Sequence, residues 1–155
     1  MAVETLKKQE IFKFLRPEQV NRLSEGSKVA TLKAGDTVYH RGAKANYFYI
    51  VLSGEVALKL PGKGGVNLLI DQLTEGAMFG GCISFAMDAY TLMAQCTADA
   101  KILRIEVSVL KKLMDEDPRT GHVIQTKISE IYFKRYIDTM EKLQAIVMNI
   151  PVESN

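Results

Sequence analysis

The sequence is poor in the side chains that cross-link proteins, hold metals or carry out catalysis. Its two cysteines, Cys82 and Cys96, stand too far apart for a Cys-x-x-Cys motif and are too few for a disulfide framework, so we expect reduced, buried thiols. Its two histidines, His40 and His122, occupy neither a metal-ligand spacing nor a place beside a nucleophile. The sequence therefore predicts no catalytic residue and no metal site, and we interpret the chain as a protein other than an enzyme.

Long apolar runs and blocks of like charge are missing as well. The uninterrupted apolar stretches, such as residues 47–52 and 145–148, fall far short of the roughly 20 residues that cross a bilayer, and residues 1–10 lack the apolar core of a secretory signal. Lys and Arg number 20 against 18 Asp and Glu, so charge alone names no partner. We therefore expect a cytoplasmic protein that does not bind membranes and that folds as one domain.

What is present is a pattern that changes twice along the chain. Residues up to about Ser24 read as short helices, and the region from Lys28 to Ile105 reads as short strands separated by glycine-rich turns. The predicted strands are 29–32, 37–39, 47–52, 55–60, 67–73, 90–96 and 101–105. Because no helix of crossover length lies between them, we predict a mainly β fold with flanking helices, a double-sheeted β roll or jelly-roll barrel.

After the strands the helical pattern returns and becomes long. Asp117-Pro118 breaks a short helix, and from there to Asn149 only Gly121 interrupts the helical composition. We divide the chain into a β roll with short flanking helices at 1–117, a long helix at 118–149 and a tail at 150–155. The helix either packs along its own barrel or, because it is longer than such a barrel, presents part of its apolar stripe to a second copy in a homodimer. The stripe consists of Ile124, Ile128, Ile131, Tyr132, Tyr136, Thr139, Leu143, Ile146 and Val147.

This order of elements resembles the cyclic-nucleotide-binding domain of the catabolite activator and fumarate-nitrate regulator superfamily. Three segments carry the resemblance: LKAGDTVYHRG at 32–42, YFYIVLSGEV at 47–56 and EGAMFGG at 75–81. The third is similar to the approach to the family's phosphate-binding cassette. The resemblance implies a non-catalytic regulatory module that senses a small molecule and transmits its presence through the long helix.

Two anchors of that cassette are absent here. The family places a Glu after Phe-Gly for the ribose and an Arg further on for the cyclic phosphate, whereas this chain has Gly81 and Tyr90 at those positions. Each lost charge-assisted contact is worth roughly 1.5–3 kcal/mol, so the two losses weaken binding on the order of 10² to 10⁴-fold. We expect no required cofactor and at most weak binding of a cyclic nucleotide. The candidate ligand-binding residues are Phe79, Gly80, Gly81, Cys82, Ile83, Ser84, Tyr90 and Thr91.

Several interpretations of this altered cassette stay open. The backbone N–H groups after Gly80 and the Thr91 hydroxyl suit a small non-standard anion, as in a retuned receptor. Alternatively, apolar side chains that include Phe85 and Tyr90 fill the pocket, and the chain is a ligand-free dimeric scaffold for an unidentified protein partner. A third possibility is a transcription regulator that acts through another DNA-binding chain, since no Lys and Arg stripe predicts direct DNA binding here. Haem held by Cys82, His40 or His122 also stays open.

Overall fold

The computed structural model describes residues 2–80 and 88–148, and within these ranges it shows a jelly-roll barrel. Two four-stranded antiparallel sheets face each other, with the strand orders β1-β8-β3-β6 and β2-β7-β4-β5. The predicted fold class is therefore confirmed. The strands are β1 Ser27–Leu32, β2 Thr37–Tyr39, β3 Tyr47–Ser53, β4 Val56–Pro61, β5 Asn67–Leu73, β6 Met78–Phe79, β7 Met93–Cys96 and β8 Ala100–Glu106.

The helices flank the barrel on both sides in sequence. Two short helices and a 3₁₀ turn precede it, and two helices follow it, the last of them 31 residues long. No helix within residues 2–80 and 88–148 combines the length and the apolar character needed to cross a membrane. The elements are α1 Ala2–Lys8, the 3₁₀ turn Glu10–Phe12, α2 Pro17–Glu25, α3 Val107–Glu116 and α4 Pro118–Met148. The predicted tail at 150–155 lies outside the described residues.

The predicted strands agree with the observed ones except near the cassette. The short strand β6, a Met-Phe pair, was not predicted, because two residues are too few to show a period. The strand expected to begin at Tyr90 begins at Met93 instead, and Tyr90 lies in the segment before it. At Gly54 the chain turns with φ of +83°, and a Cβ there would lie 2.1 Å from the Asp99 carbonyl oxygen, so only glycine fits this corner.

Two apolar cores lie on the two faces of the β1-β8-β3-β6 sheet. The face that carries Phe48 and Leu103 packs against the N-terminal helices, α3 and the start of α4. The opposite face, with Tyr49 and Ile102, points into the barrel. This alternation follows from the period of two along each strand. It leaves the inside of the barrel lined by tyrosines near the position where a ligand was predicted.

The start of α4 is fixed to the N-terminal region by a small polar network. Asp117, just before the helix, accepts hydrogen bonds from the Thr120 hydroxyl at 2.9 Å and from the Gln19 side-chain amide at 3.1 Å. Gly121 follows, where a Cβ would lie 2.7 Å from the Met114 carbonyl oxygen of α3. The helix therefore leaves α3 at a fixed angle and runs along the barrel.

Further along, α4 covers the side of the barrel where the two sheets end in edge strands. The Arg135 guanidinium donates to the Met78 carbonyl oxygen of β6, and the Lys142 ammonium donates to the Ile70 carbonyl oxygen of β5 at 3.0 Å. Edge strands present free carbonyl groups, and these two cations satisfy one in each sheet. The same helix thereby closes the barrel and forms the wall of the cavity described next.

Candidate functional site

A cavity of about 320 Å³ lies between the barrel and α4, next to the residues that lead into the predicted cassette. This volume stands at the lower end of the range of about 300–1,000 Å³ that is usual for small-molecule sites. The barrel and α4 each contribute aromatic rings to its wall. The described residues that line it are Tyr39, Leu58, Ile70, Gly80, Tyr90, Thr91, Leu92, Tyr132, Arg135, Tyr136 and Thr139.

Tyr90 stands where the family resemblance implied an arginine, and its side chain is buried. Its hydroxyl donates to the Tyr47 carbonyl oxygen at 2.9 Å and lies 3.2 Å from the Tyr47 backbone N–H, which donates to it. Its ring stacks on Tyr39, with centroids 3.7 Å apart and an angle of 14° between the planes. The Tyr90 side chain therefore hydrogen-bonds to the backbone at the start of β3.

The rings of Tyr39 and Tyr90 belong to a wider aromatic cluster inside the barrel. Tyr49 stacks on Phe79 with centroids 5.1 Å apart, and Tyr39 stacks on Tyr49 at 5.7 Å. Burial, and then hydrogen bonding with Tyr90, raises the pKa of Tyr49 well above its usual value, so its phenol stays neutral. The cluster thus offers flat apolar faces and hydroxyls but no negative charge.

Gly80 carries the chain past this cluster in a conformation that suits glycine. Its φ is +75°, and a Cβ would lie 3.0 Å from Cδ2 of Tyr49 and 3.3 Å from Cε1 of Tyr90. The structure therefore gives Gly80 a packing role at the edge of the cavity. Its neighbours Gly81, Cys82, Ile83 and Ser84, all predicted to bind ligand, lie outside the described residues, as does Phe85.

Of the remaining predicted ligand-binding residues, the structure places Phe79 and Thr91 differently. Phe79 is fully buried in the aromatic cluster and does not line the cavity. Thr91 is exposed and lines the cavity beside Tyr90. The structure thus brings Gly80, Tyr90 and Thr91 to one cavity.

Arg135 is the charged residue in this cavity that the sequence analysis missed, and it also missed Tyr39, Leu58, Ile70 and Leu92. Its Nε lies 3.3 Å from Oδ2 of Asp71, both side chains are largely buried, and its guanidinium lies 5.5 Å from the centroid of the Tyr132 ring. The signal was spacing, because Arg135 follows Ile131 by four and Ile128 by seven positions on the face that turns toward the barrel. Among the described lining residues, Arg135 is the one that carries a charge.

The predicted stripe of α4 divides into three parts. Ile124 and Ile128 are buried in the chain's own core, with Ile131 partly buried against it, so the surface available to a second copy does not include Ile124 or Ile128. Tyr132 and Thr139 line the cavity, as does Tyr136. Leu143 and Ile146 are exposed beside strand β5.

A second apolar series on α4 was only partly predicted. Its members recur at spacings of three and four, share one face of the helix and are between 45% and 61% exposed. They are Phe133, Tyr136, Met140, Leu143 and Val147, which we call the exposed heptad face. The sequence analysis included Tyr136, Leu143 and Val147, and it left out Phe133 and Met140 because it followed the face of Ile128.

Of the residues considered for haem, the structure describes His40 and His122, and Cys82 lies outside the described residues. His40 and His122 are both exposed, and within residues 2–80 and 88–148 no group of three His, Cys, Asp or Glu side chains is arranged to hold a metal ion. Cys96 is buried in the barrel, and burial raises the pKa of its thiol, which disfavours the thiolate.

Comparison with known proteins agrees with this geometry. The family model for the cyclic nucleotide-binding domain matches residues 29–117, which is more than half of the chain. No curated protein sequence matches it. The chain therefore belongs to the cyclic nucleotide-binding domain family, a family of regulatory binding domains, and the resemblance drawn from the sequence is confirmed.

Solved structures show the same fold at low sequence identity. A protein from Geobacter metallireducens is 20% identical, with a TM-score of 0.76, covering 88% of this chain and 98% of that one. The sensor domain of the transcriptional regulator DNR from Pseudomonas aeruginosa is 19% identical, with a TM-score of 0.71, covering 98% and 95%. The regulatory domain of Toxoplasma gondii PKA, solved with cAMP, is 18% identical, with a TM-score of 0.68, covering 84% and 49%. At these identities the likeness concerns the fold alone.

Proposed function

We propose that this chain is a sensor module that binds a small anionic molecule in the cavity between the barrel and α4 and transmits its presence through a homodimer. The observation that carries the proposal is that one stretch of α4 contributes residues both to the cavity wall and to the exposed heptad face. Tyr132, Arg135, Tyr136 and Thr139 line the cavity, and Tyr136 also belongs to the exposed heptad face. A molecule in the cavity would therefore touch the helix that pairs the two copies.

The dimer rests on the amount of apolar surface that α4 leaves uncovered. The exposed heptad face has the spacing of a coiled-coil seam, and isolated chains rarely expose a stripe of this kind. The β5 hairpin adds Leu68 and Leu69, both more than half exposed, beside the last turns of the helix. A second copy of α4 with the same face covers such a stripe by symmetry.

The ligand expected here differs from an ordinary cyclic nucleotide. The resemblance implies Tyr90 at the position of the phosphate-binding arginine, and the described lining contains no carboxylate to accept hydrogen bonds from ribose hydroxyl groups. Arg135, presented by α4 instead of the cassette, supplies a cation that can pair with an anion. We therefore expect cyclic AMP and cyclic GMP to bind weakly compared with a smaller anion.

Two measurements on the full chain test the proposal. Sedimentation equilibrium over a range of concentrations is expected to show a dimer. Titration calorimetry with cyclic AMP, cyclic GMP and a panel of small carboxylates and phosphates is expected to give heat from at least one small anion and little from the nucleotides. A monomer at every concentration would contradict the dimer, and tight binding of either nucleotide would contradict the altered site.

One observation favours a second candidate, a ligand-free dimeric scaffold. The stacked rings of Tyr39 and Tyr90 already occupy part of the barrel interior, as that alternative predicts. Like the sensor, the scaffold would be a homodimer, but it would bind no small molecule. A dimer that gives no heat with any member of the panel would support the scaffold and contradict the sensor.

A further inference from the structure

We propose that the molecule recognised in this cavity is a flat aromatic compound that bears a single carboxylate, with Arg135 as its counter-ion. The inference rests on the proposed sensor function and names the chemical class of its ligand. It combines two features of the cavity wall: the tyrosine rings that the barrel and α4 contribute, and the position of one guanidinium whose N–H donors are only partly used.

The rings come from both sides of the cavity. Tyr39 and Tyr90 belong to the barrel, whereas Tyr132 and Tyr136 lie four residues apart on α4 and so share one face of the helix. Aromatic rings from two elements around one cavity favour a flat aromatic guest, because offset-stacked and edge-to-face ring pairs add to the gain from apolar burial. A saturated ring of equal size lacks that contribution.

The one charged residue among the described lining residues, Arg135, indicates that the ligand carries a carboxylate as well as an aromatic ring. An arginine has five N–H donors, and among the described residues the Arg135 guanidinium uses its Nε toward Asp71 and one Nη2 hydrogen toward the Met78 carbonyl oxygen. The Nη1 group has no partner within residues 2–80 and 88–148. A carboxylate matches the planar fork of a guanidinium with paired, charge-assisted hydrogen bonds.

Asp71 limits how much negative charge the site accepts. Its carboxylate lies 3.3 Å from Nε of Arg135 and already balances one positive charge. A phosphate dianion would bring two further charges into a wall that offers no second cation among its described residues. A single carboxylate brings one, which Nη1 can meet directly.

A tyrosine-lined cavity can also hold a cation, as aromatic cages do for quaternary ammonium groups. Arg135 argues against this here, because its own guanidinium already lies over the Tyr132 ring and would repel a second cation. The anionic and cationic guests are therefore distinguishable by the same titration.

The test uses the full chain and calorimetry with five probes: indole-3-acetate, its neutral amide indole-3-acetamide, cyclohexylacetate, choline and cyclic AMP. We expect indole-3-acetate to bind about tenfold or more tightly than the amide, since a hydrogen-bonded charge is lost in the latter. We expect it to bind more tightly than cyclohexylacetate as well. Equal affinity for indole-3-acetate and its amide would contradict the role of Arg135 as counter-ion. Equal affinity for indole-3-acetate and cyclohexylacetate would contradict the preference for an aromatic ring. Tighter binding of choline than of indole-3-acetate would contradict both.

Variants separate the site from the helix that carries it. Arg135→Gln is expected to abolish the preference for the acid over the amide, whereas Arg135→Lys retains part of it. If Arg135→Gln fails to fold, Tyr136→Leu gives an independent readout, with an expected loss of about tenfold for indole-3-acetate. Its matched control is Phe133→Leu, which removes an aromatic ring from the same exposed heptad face but not from the cavity wall. An equal loss in both variants would overturn the assignment.

Failure of this inference and failure of the sensor function are distinguishable. If the chain binds another small anion but none of the aromatic acids, the ligand class is wrong and the sensor function stands. If the chain binds no probe and no member of the wider panel, both are wrong, and the scaffold remains.

Discussion

The two halves of α4 carry apolar residues at the same spacing and meet different surroundings. In the first half, Ile124 and Ile128 are 0% and 1% exposed, because the N-terminal helices and α3 lie against them. In the second half, Met140 and Leu143 are 49% and 59% exposed. The apolar face also turns around the helix between the halves, since Arg135 and Lys142 take the side that faces the barrel.

This difference shows what helical periodicity does and does not determine. Spacings of three and four residues place side chains on one face of a helix. They do not determine what covers that face. In α4 apolar residues at the same spacing cover the chain's own core in the first half and form an uncovered surface on another face in the second, and the position of neighbouring elements distinguishes the two.

The largest expected effect comes from the buried half. We expect Ile128→Ala to lower the free energy of unfolding by about 2–5 kcal/mol, because it removes apolar burial and leaves a cavity in the core. Urea unfolding at two protein concentrations measures this, and the loss should be the same at both, since the side chain touches only its own chain. A loss that depends on concentration would place Ile128 in an interface.

Substitutions in the exposed second half of α4 should weaken the association of two copies and leave the free energy of unfolding unchanged. We expect Met140→Glu combined with Leu143→Glu to weaken the dimer by about 100-fold or more, because two apolar side chains leave a seam where each contributes ~1.5–3 kcal/mol. Sedimentation equilibrium measures the dissociation constant, with Lys134→Glu as a control that changes the charge by the same amount on the opposite side of the helix, where the side chain is exposed. A dimer of unchanged strength in the double variant would show that the copies pair elsewhere.

The smallest effect concerns the junction where the buried half begins. Hydrogen bonds from the Thr120 hydroxyl and backbone N–H, together with the charge of Arg16, hold the pKa of Asp117 below its ordinary value of 3.8. A carboxyl whose pKa is lowered by folding stabilises the folded state above the unfolded pKa, and that contribution is lost as pH falls through the folded pKa. We therefore expect unfolding curves to show a small loss of stability below about pH 4 that Asp117→Asn removes. The same pH dependence in the variant would assign it to other carboxyl groups.

Much of the fold could be predicted from the sequence, because its signals are local. Glycine corners and alternating strands marked the barrel, and Pro118 marked the start of the long helix. Strand β6 could not be predicted, since its two residues show no period, and its place is fixed by pairing with β3. Tyr90 looked like a strand residue because aromatic side chains favour strands, whereas its hydroxyl actually binds the backbone of Tyr47.

The candidate site was less predictable, because its wall comes from distant parts of the chain. The cassette positions Gly80, Tyr90 and Thr91 were found from a resemblance, and they do reach the cavity. Arg135 was not found, since a charged residue on a helix is usually taken as solvated unless the element opposite it is known. Its partner Asp71 lies 64 positions away along the chain, and only the folded structure brings them together.

The hydrogen bonds of the Tyr90 hydroxyl have a consequence for a variant that carries a phosphate-binding arginine at position 90. The backbone N–H of Tyr47 donates a hydrogen bond to this hydroxyl, and the Tyr47 carbonyl oxygen accepts one from it. Tyr90→Arg would remove both of these hydrogen bonds from Tyr47, the first residue of strand β3. We therefore expect an arginine at position 90 to require a second substitution beside β3 that restores these hydrogen bonds.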